Sequence, residues 1–203
     1  MPRKKPRTRT GDQRILLVRH GESREQSGET TDGVDPMLSA RGELQIGTLR
    51  ERLASLRFDT VYVSPLARAA HTFDRAGFRC GRAVYDSRII EIEWRPDWYG
   101  GMPAGSLPPG PEPDRHRAWL VPTYERLAGF LAEILASGES LIALVGHQGA
   151  FRCLAELFLG LAHDGEPIRL RSDNCSVSEL SVGTDGIRFV RYWNDHHHVV
   201  RYL

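Results

Sequence analysis

Apolar residues fall along this chain in two alternating patterns, short continuous runs and stripes at three- and four-residue steps, as expected where strands and helices take turns. Ile15-Leu16-Leu17-Val18 is the first run and reads as a buried strand that delivers Arg19-His20-Gly21-Glu22-Ser23 to its C-terminal end. Residues 22–37, rich in Gly, Thr, Asp and Ser, read as a loop. Ser39 is placed to cap a helix whose Ile46, Leu49, Leu53 and Leu56 form one stripe. Thr60-Val61-Tyr62-Val63 is a second strand, and Ser64-Pro65 opens a helix with proline in its first turn, where Arg68 also falls. Ala83-Val84-Tyr85 is a weaker third strand.

Between Ile89 and Pro113 the pattern breaks down around Trp94, Trp98, Tyr99 and a Gly/Pro-rich run, and so long a connection is either functional or mobile. The aromatic group reads as loop packing that could rim a substrate entrance. Tyr124, Leu127, Leu131 and Ile134 resume helical spacing, and Ser137-Gly138 supplies the stop. Leu141 to Val145 suits a central parallel strand, followed by the turn Gly146-His147-Gln148-Gly149 and a helix through about Leu159. Segments near Val177 to Val182 and Ile187 to Trp193 flank Gly183-Thr184-Asp185-Gly186 and read as an edge hairpin. The pattern predicts one α/β domain over residues 14–203, without repeats or linkers, behind a basic tail at residues 1–13.

Composition adds limits. A length of 203 residues suits a single domain, and 40 % apolar with 26 % charged residues is that of a globular protein. No run approaches bilayer length and no apolar segment follows the basic N-terminus, so a cytoplasmic protein without a membrane partner is expected. Three cysteines, Cys80, Cys153 and Cys175, are odd in number and far apart, which argues against a disulfide framework and a thiolate zinc site; they read as buried thiols. The net charge of +1 recruits no nucleic acid globally. Arg3, Lys4, Lys5, Arg7 and Arg9 crowd the tail, with Arg14 just beyond it, and the tail reads as a disordered, solubilising segment, with a nucleic-acid or anionic-membrane contact as the minority reading.

The chemistry lies behind the strands. Arg19-His20-Gly21, Ser64-Pro65-Leu66-Ala67-Arg68 and Gly146-His147 each follow a predicted strand and converge at one edge of the sheet. Guanidinium matches phosphate oxygens bidentately and neutral imidazole is a competent nucleophile, so the pocket suits a phosphoryl group. His196-His197-His198 raises the question of a metal, but neighbours on a strand face opposite ways and no second ligand cluster completes a site, so no metal is expected. His71, His116 and His163 read as surface or satisfied core residues.

In this order the motifs resemble the histidine phosphatase superfamily, also called phosphoglycerate mutase-like, from about Ile15 to the C-terminus. The residues that carry the likeness are Leu17 to Ser23, Asp35 to Ser39 with Gly42 and Gln45, and Ser64 to Thr72. Glu91, Val145 to Gly149 with Arg152, Asn174 to Val177, and Asn194-Asp195 with His198 complete it. The resemblance implies a three-layer α/β/α sandwich with a central, mostly parallel sheet and an antiparallel edge strand. It further implies His20 as the nucleophile, Arg19, Arg68 and His147 as holders of the phosphoryl oxygens, and Glu91 as proton donor. Gly21, Glu22, Ser23, Gln26 and Gln148 would contact substrate. Gln26 stands where the family often has a pocket asparagine, Gln148 where a small residue is usual, and the glycine common soon after the acid is missing from Glu91-Ile92-Glu93-Trp94-Arg95. Periodicity alone does not separate Glu91 from Glu93 as the acid.

The activity implied is phosphomonoester hydrolysis of a small phosphorylated metabolite without a cofactor, by a monomer or homodimer. A phosphoglycerate-type mutase is the alternative, set lower because the lid insertion expected after the second motif is short here. A non-catalytic phosphate-binding module ranks lower still, since Arg19, His20, Arg68, Glu91 and His147 are all retained.

Overall fold

A computed structural model describes residues 11–31, 35–92, 113–161 and 170–203, with 113–119 by backbone alone. Six strands form one sheet: β1 (Gln13–Arg19), β2 (Phe58–Val63), β3 (Cys80–Tyr85), β4 (Leu141–Gly146), β5 (Val177–Val182) and β6 (Arg188–Asp195). Their order across the sheet is β3-β2-β4-β1-β5-β6. β3, β2, β4 and β1 run parallel, whereas β5 is antiparallel to β1 and β6 to β5. The helices are α1 (Ala40–Leu53), α2 (Ala67–Ala76), α3 (Pro113–Ala136) and α4 (Gln148–Leu159), with 3-10 turns at Ser87–Ile89 and His197–Tyr202.

Alternation along β1 shows why three layers form. Ile15 and Leu17 pack with Leu127, Phe130, Ile134 and Phe158 of α3 and α4, while Leu16 and Val18 pack with Ile46, Leu49 and Leu53 of α1. β4 divides in the same way, with Ile142 and Leu144 on one side and Ala143 and Val145 on the other. A continuous apolar run is thus a strand covered on both faces. The expected α/β/α sandwich with an edge hairpin is what the structure contains.

Ser39 caps α1 as expected, its hydroxyl accepting from Gly42 N–H at 3.0 Å. Several boundaries differ. Gln13, placed in the tail by its polarity, is the first residue of β1 and is wholly buried; its Nε2 donates to the carbonyls of Ile134 and Glu139. Pro65 lies before α2 rather than in its first turn, and the Leu66 N-cap has no side-chain oxygen. Asp35, some thirty residues earlier, takes over, its Oδ2 accepting from Ala67 N–H at 2.7 Å. Cys153 and Cys175 are buried, but Cys80 is half exposed on β3, a strand with little cover. Trp94, Trp98, Tyr99, Glu93, His163 and the tail through Thr10 lie outside the described residues, as does the His116 side chain. Among the described residues no helix is long and apolar enough to cross a membrane.

α1 presses against the loop after β1 because two glycines face each other there. A Cβ on Gly21 would sit 3.0 Å from the Gly42 carbonyl oxygen, and a Cβ on Gly42 would collide with that of Glu22. Gly42→Ala should therefore destabilise the fold by about 1–3 kcal/mol through overpacking. Gly47→Ala, where a Cβ meets open space in the same helix, should instead stabilise it by about 0.5–1 kcal/mol. Urea unfolding of both variants checks the contrast; equal effects would show that the close approach at Gly42 is not the constraint.

Candidate active site

The parallel register brings the three motif ends level. Arg19 pairs with Gly146 and Val63 with Val145, so the residues that leave the sheet next are His20, His147 and Ser64. His20 N–H donates to the Gly146 carbonyl at 3.0 Å and Ser64 N–H to the Val145 carbonyl at 2.9 Å, which stitches the three exits together. The His20 and His147 rings then lie with centroids 5.1 Å apart. This is the carboxyl edge of a parallel sheet, where ligands bind in open α/β folds.

His20 is buried and fixed at both nitrogens. Nδ1 is 2.6 Å from the Gly21 carbonyl oxygen, an acceptor only, so Nδ1 carries the proton. Nε2 is then a lone pair, and it accepts from Arg68 Nε at 3.2 Å. Burial first of all, then the charges of Arg19 and Arg68, holds the imidazole pKa well below 6.5, and only the Gly21 bond opposes this. The ring is therefore neutral, the form with a nucleophilic nitrogen.

His147 is held the same way by burial, then by His20, Arg68, Arg19 and Arg126. The Ser64 hydroxyl accepts from Leu66 N–H and lies 2.8 Å from His147 Nε2, to which it can donate its own hydrogen, a bond that selects one tautomer of the ring. In this tautomer the imidazole proton sits on Nδ1, a buried atom without a protein partner among the described residues. Arg19 Nε is a second such donor. Buried donors without acceptors are rare in folded proteins, and of those among the described residues, which include Arg152 Nε, these two adjoin His20.

The arginines are themselves anchored. Arg19 donates to the Ser172 carbonyl, and Arg68 to Asp35 Oδ1 at 3.3 Å. Burial pulls both guanidinium pKa values down, opposed most by Glu91 in each case. Glu91 thus lies within electrostatic reach of both. Its carboxylate is docked at the N-terminus of α4, Oε1 accepting from Ile92 N–H at 2.9 Å and Ala150 N–H at 3.1 Å, and Oε2 from Gly149 N–H at 3.4 Å. Two neutral imidazoles, two guanidiniums and a carboxylate gathered at one sheet edge make an arrangement that suits a phosphoryl group.

The model of the histidine phosphatase superfamily (branch 1) matches residues 15–195. The chain belongs to this family. A relative from Yersinia enterocolitica, named a probable phosphoglycerate mutase, is 30 % identical over 190 residues that cover 82 % of this chain and 83 % of that one. Among solved structures, a mycobacterial glucosyl-3-phosphoglycerate phosphatase superposes with a TM-score of 0.68 at 24 % identity, covering 91 % of this chain and 99 % of that one. A phosphoglycerate mutase from Bacillus anthracis gives 0.69 at 16 % identity, covering 96 % and 98 %. At such identities the structural likeness speaks for the fold alone.

Not every residue implied by membership in the histidine phosphatase superfamily faces the nucleophile. Glu22 does not: its carboxylate accepts from the Ser39 hydroxyl at 2.7 Å and from Arg41, and its N–H is taken by Gln45, which makes it a brace for α1 rather than a substrate ligand. Ser23 and Gln26 bond one another, and the Gln26 amide oxygen also accepts from Asn174 Nδ2 at 3.1 Å. Asn174 donates as well to the His20 carbonyl, so Gln26 and Asn174 form a linked pair of amides beside His20. Gly21 holds the nucleophile's turn through its N–H bond to Thr72 Oγ1 at 3.0 Å. Gln148 opens α4, half buried, next to His147.

The sequence reading missed Ser64 as the partner of His147, Asp35 as the anchor of Arg68, and Arg126, which donates to the carbonyls of Arg88, Ile90 and Glu91. Asp35 and Ser64 stood inside quoted motifs; Arg126 lies in an ordinary helix and left no signal. Among the described residues no group of three or more His, Cys, Asp or Glu could hold a metal ion. The terminal histidine run packs against the loop behind Arg19: His196 Nδ1 lies 3.3 Å from Asp173 and His198 Nε2 2.9 Å from the Cys175 carbonyl, whose own N–H donates to the carbonyls of Arg19 and His20.

Because both site imidazoles refuse a proton, their NMR signals should stay in the neutral form from about pH 8 down past the ordinary value of 6.5. The unfolded chain takes up those protons near 6.5 and the folded one does not, so their contribution to stability is complete above that pH and declines as pH falls below it. Urea unfolding at neutral and mildly acidic pH reads the decline. A His20 titration centred near 6.5 would show that the burial and the two arginines do not set its charge.

Proposed function

We propose that the protein is a metal-independent phosphomonoester hydrolase that acts on a small phosphorylated metabolite through phosphorylated His20. The observation that carries the reading is the buried, neutral His20 with its lone pair on Nε2, bordered by Arg68 and by Arg19 Nε and His147 Nδ1, which have no hydrogen-bond partner among the described residues. A dianionic phosphoryl group attracts the Arg68 guanidinium more strongly than a neutral imidazole does, so its arrival frees the lone pair. The Nε2–P bond forms as the bond from phosphorus to the ester oxygen breaks. Arg19, Arg68 and His147 hold the equatorial oxygens, and Glu91, taking up a proton as the phosphomonoester binds, passes it to the departing alkoxide. Proton-bearing Nδ1 keeps the phosphorylated ring cationic, and the Gly21 carbonyl offsets that charge. In the second step water attacks phosphorus, Glu91 takes its proton, and the N–P bond breaks to restore neutral His20.

The two guanidiniums already supply the positive charge that a divalent ion brings to other phosphatases. The name of the Yersinia relative favours a second reading, in which phospho-His20 passes its group to another hydroxyl instead of water. The two readings share every step up to the phosphohistidine. Hydrolysis is preferred because α2 reaches β3 across the left-handed Gly77 with no insertion between these two elements.

Brief incubation with a labelled phosphomonoester should give an acid-labile, base-stable adduct, absent from His20→Ala along with turnover, and activity should survive exhaustive chelation. Substantial turnover by His20→Ala, or loss with EDTA restored by zinc or magnesium, would overturn the mechanism. Following a labelled phosphoglycerate separates the two fates: release of inorganic phosphate supports hydrolysis, and a positional isomer without phosphate release supports the mutase.

A further inference from the structure

Glu91 sits on a short segment between a 3-10 turn and residues outside the description, so what fixes its carboxylate is a question of packing. One face of α3 grips that segment. Arg126, Phe130 and Glu133 recur at four- and three-residue steps and share a stripe. Glu133 binds Arg88 Nη1 at 2.7 Å, and the Arg88 guanidinium lies 5.0 Å over the Phe130 ring. Arg126 reaches past them to three carbonyls: Nε to Arg88 at 3.1 Å, and Nη2 to Ile90 at 2.8 Å and Glu91 at 3.1 Å. From the opposite side the carboxylate meets the first turn of α4. There a Cβ on Gly149 would stand 2.5 Å from Glu91 Oε1 and 2.8 Å from the Ile92 side chain.

We infer that Arg126 is a positioning residue for the proton donor, its fork of N–H groups fixing the backbone of residues 88–91 while the missing side chain of Gly149 leaves the slot in which the Glu91 carboxylate docks. The inference rests on the reading of Glu91 as proton donor. Three carbonyls held by one planar group define both the place and the tilt of the segment. An ammonium at the same site keeps the charge but loses the fork. The proton to be delivered moves only if donor and ester oxygen are within hydrogen-bond reach, so a small shift of the segment costs most where the leaving group is poor.

The test compares phenyl phosphate with p-nitrophenyl phosphate, whose leaving group needs little protonation. Glu91→Gln sets the reference, with phenyl phosphate turnover expected to fall about 10²-fold and p-nitrophenyl phosphate far less. Arg126→Gln, Arg126→Lys and Gly149→Ala should each lower kcat on phenyl phosphate roughly tenfold more than on p-nitrophenyl phosphate, with KM little changed. Circular dichroism confirms that each variant is folded. Equal losses on both substrates, or full recovery by Arg126→Lys, would overturn the positioning role, the latter by assigning the effect to charge alone. If Glu91→Gln itself shows no such selectivity, the proton-donor reading fails, and the inference with it.

Discussion

Two guanidiniums and two imidazoles are packed into the carboxyl edge of a buried sheet, and much of the molecule serves to make that tolerable. Taking an ion out of water costs on the order of several kcal/mol even after relaxation. The cost is met in two ways. The imidazoles stay neutral, since burial and neighbouring arginines both oppose a proton. The guanidiniums keep their charge because Asp35, Glu91, Asp173 and the Ser172 carbonyl surround them. What results is a pocket with more donors than acceptors, which an oxyanion completes.

The same requirement gives meaning to features that look unrelated along the chain. Asp35 ties up both the first N–H of α2 and the guanidinium of Arg68, so one carboxylate sets the helix and its functional residue together. Thr72 accepts from Gly21 N–H and donates to the Arg68 carbonyl, joining α2 to the nucleophile's turn. Gln45 bonds Glu22 on one side and the Tyr202 carbonyl on the other, which links the terminal turn to the same loop. Positions that a mechanism leaves out are in this way part of how its charges are placed.

What could be read from the sequence follows the range of the forces involved. Strand β1, the Ser39 cap and the level arrangement of His20, Arg68 and His147 are written in local patterns, because burial on two faces leaves continuous apolar runs and parallel strands end together. Boundaries that depend on distant partners were not legible. Gln13 is polar in sequence yet buried in β1, because its amide meets carbonyls more than a hundred residues away. Glu22 sat in the nucleophile's motif and was taken for a substrate ligand, but its partners Ser39 and Arg41 lie on another element. Nor did the histidine run show in sequence that His196 meets Asp173 and His198 the Cys175 carbonyl, both on a distant loop.

The site divides into halves of different construction. The half that would hold the phosphoryl group under the proposed mechanism is built from three strand ends locked by the sheet's own hydrogen bonds, and its geometry follows from the register. The half that carries Glu91, the proposed proton donor, is a segment outside the sheet, held by the side chains of α3 and by the first turn of α4. Phosphoryl chemistry asks the same of the first half whatever the substrate, since the transferred group never changes. The second half must suit an ester oxygen whose basicity and attachments differ from substrate to substrate. A frame fixed by the sheet beside a segment fixed only by side chains lets substrate preference change without disturbing the nucleophile. That accounts for how relatives named phosphatases and relatives named mutases share this one fold.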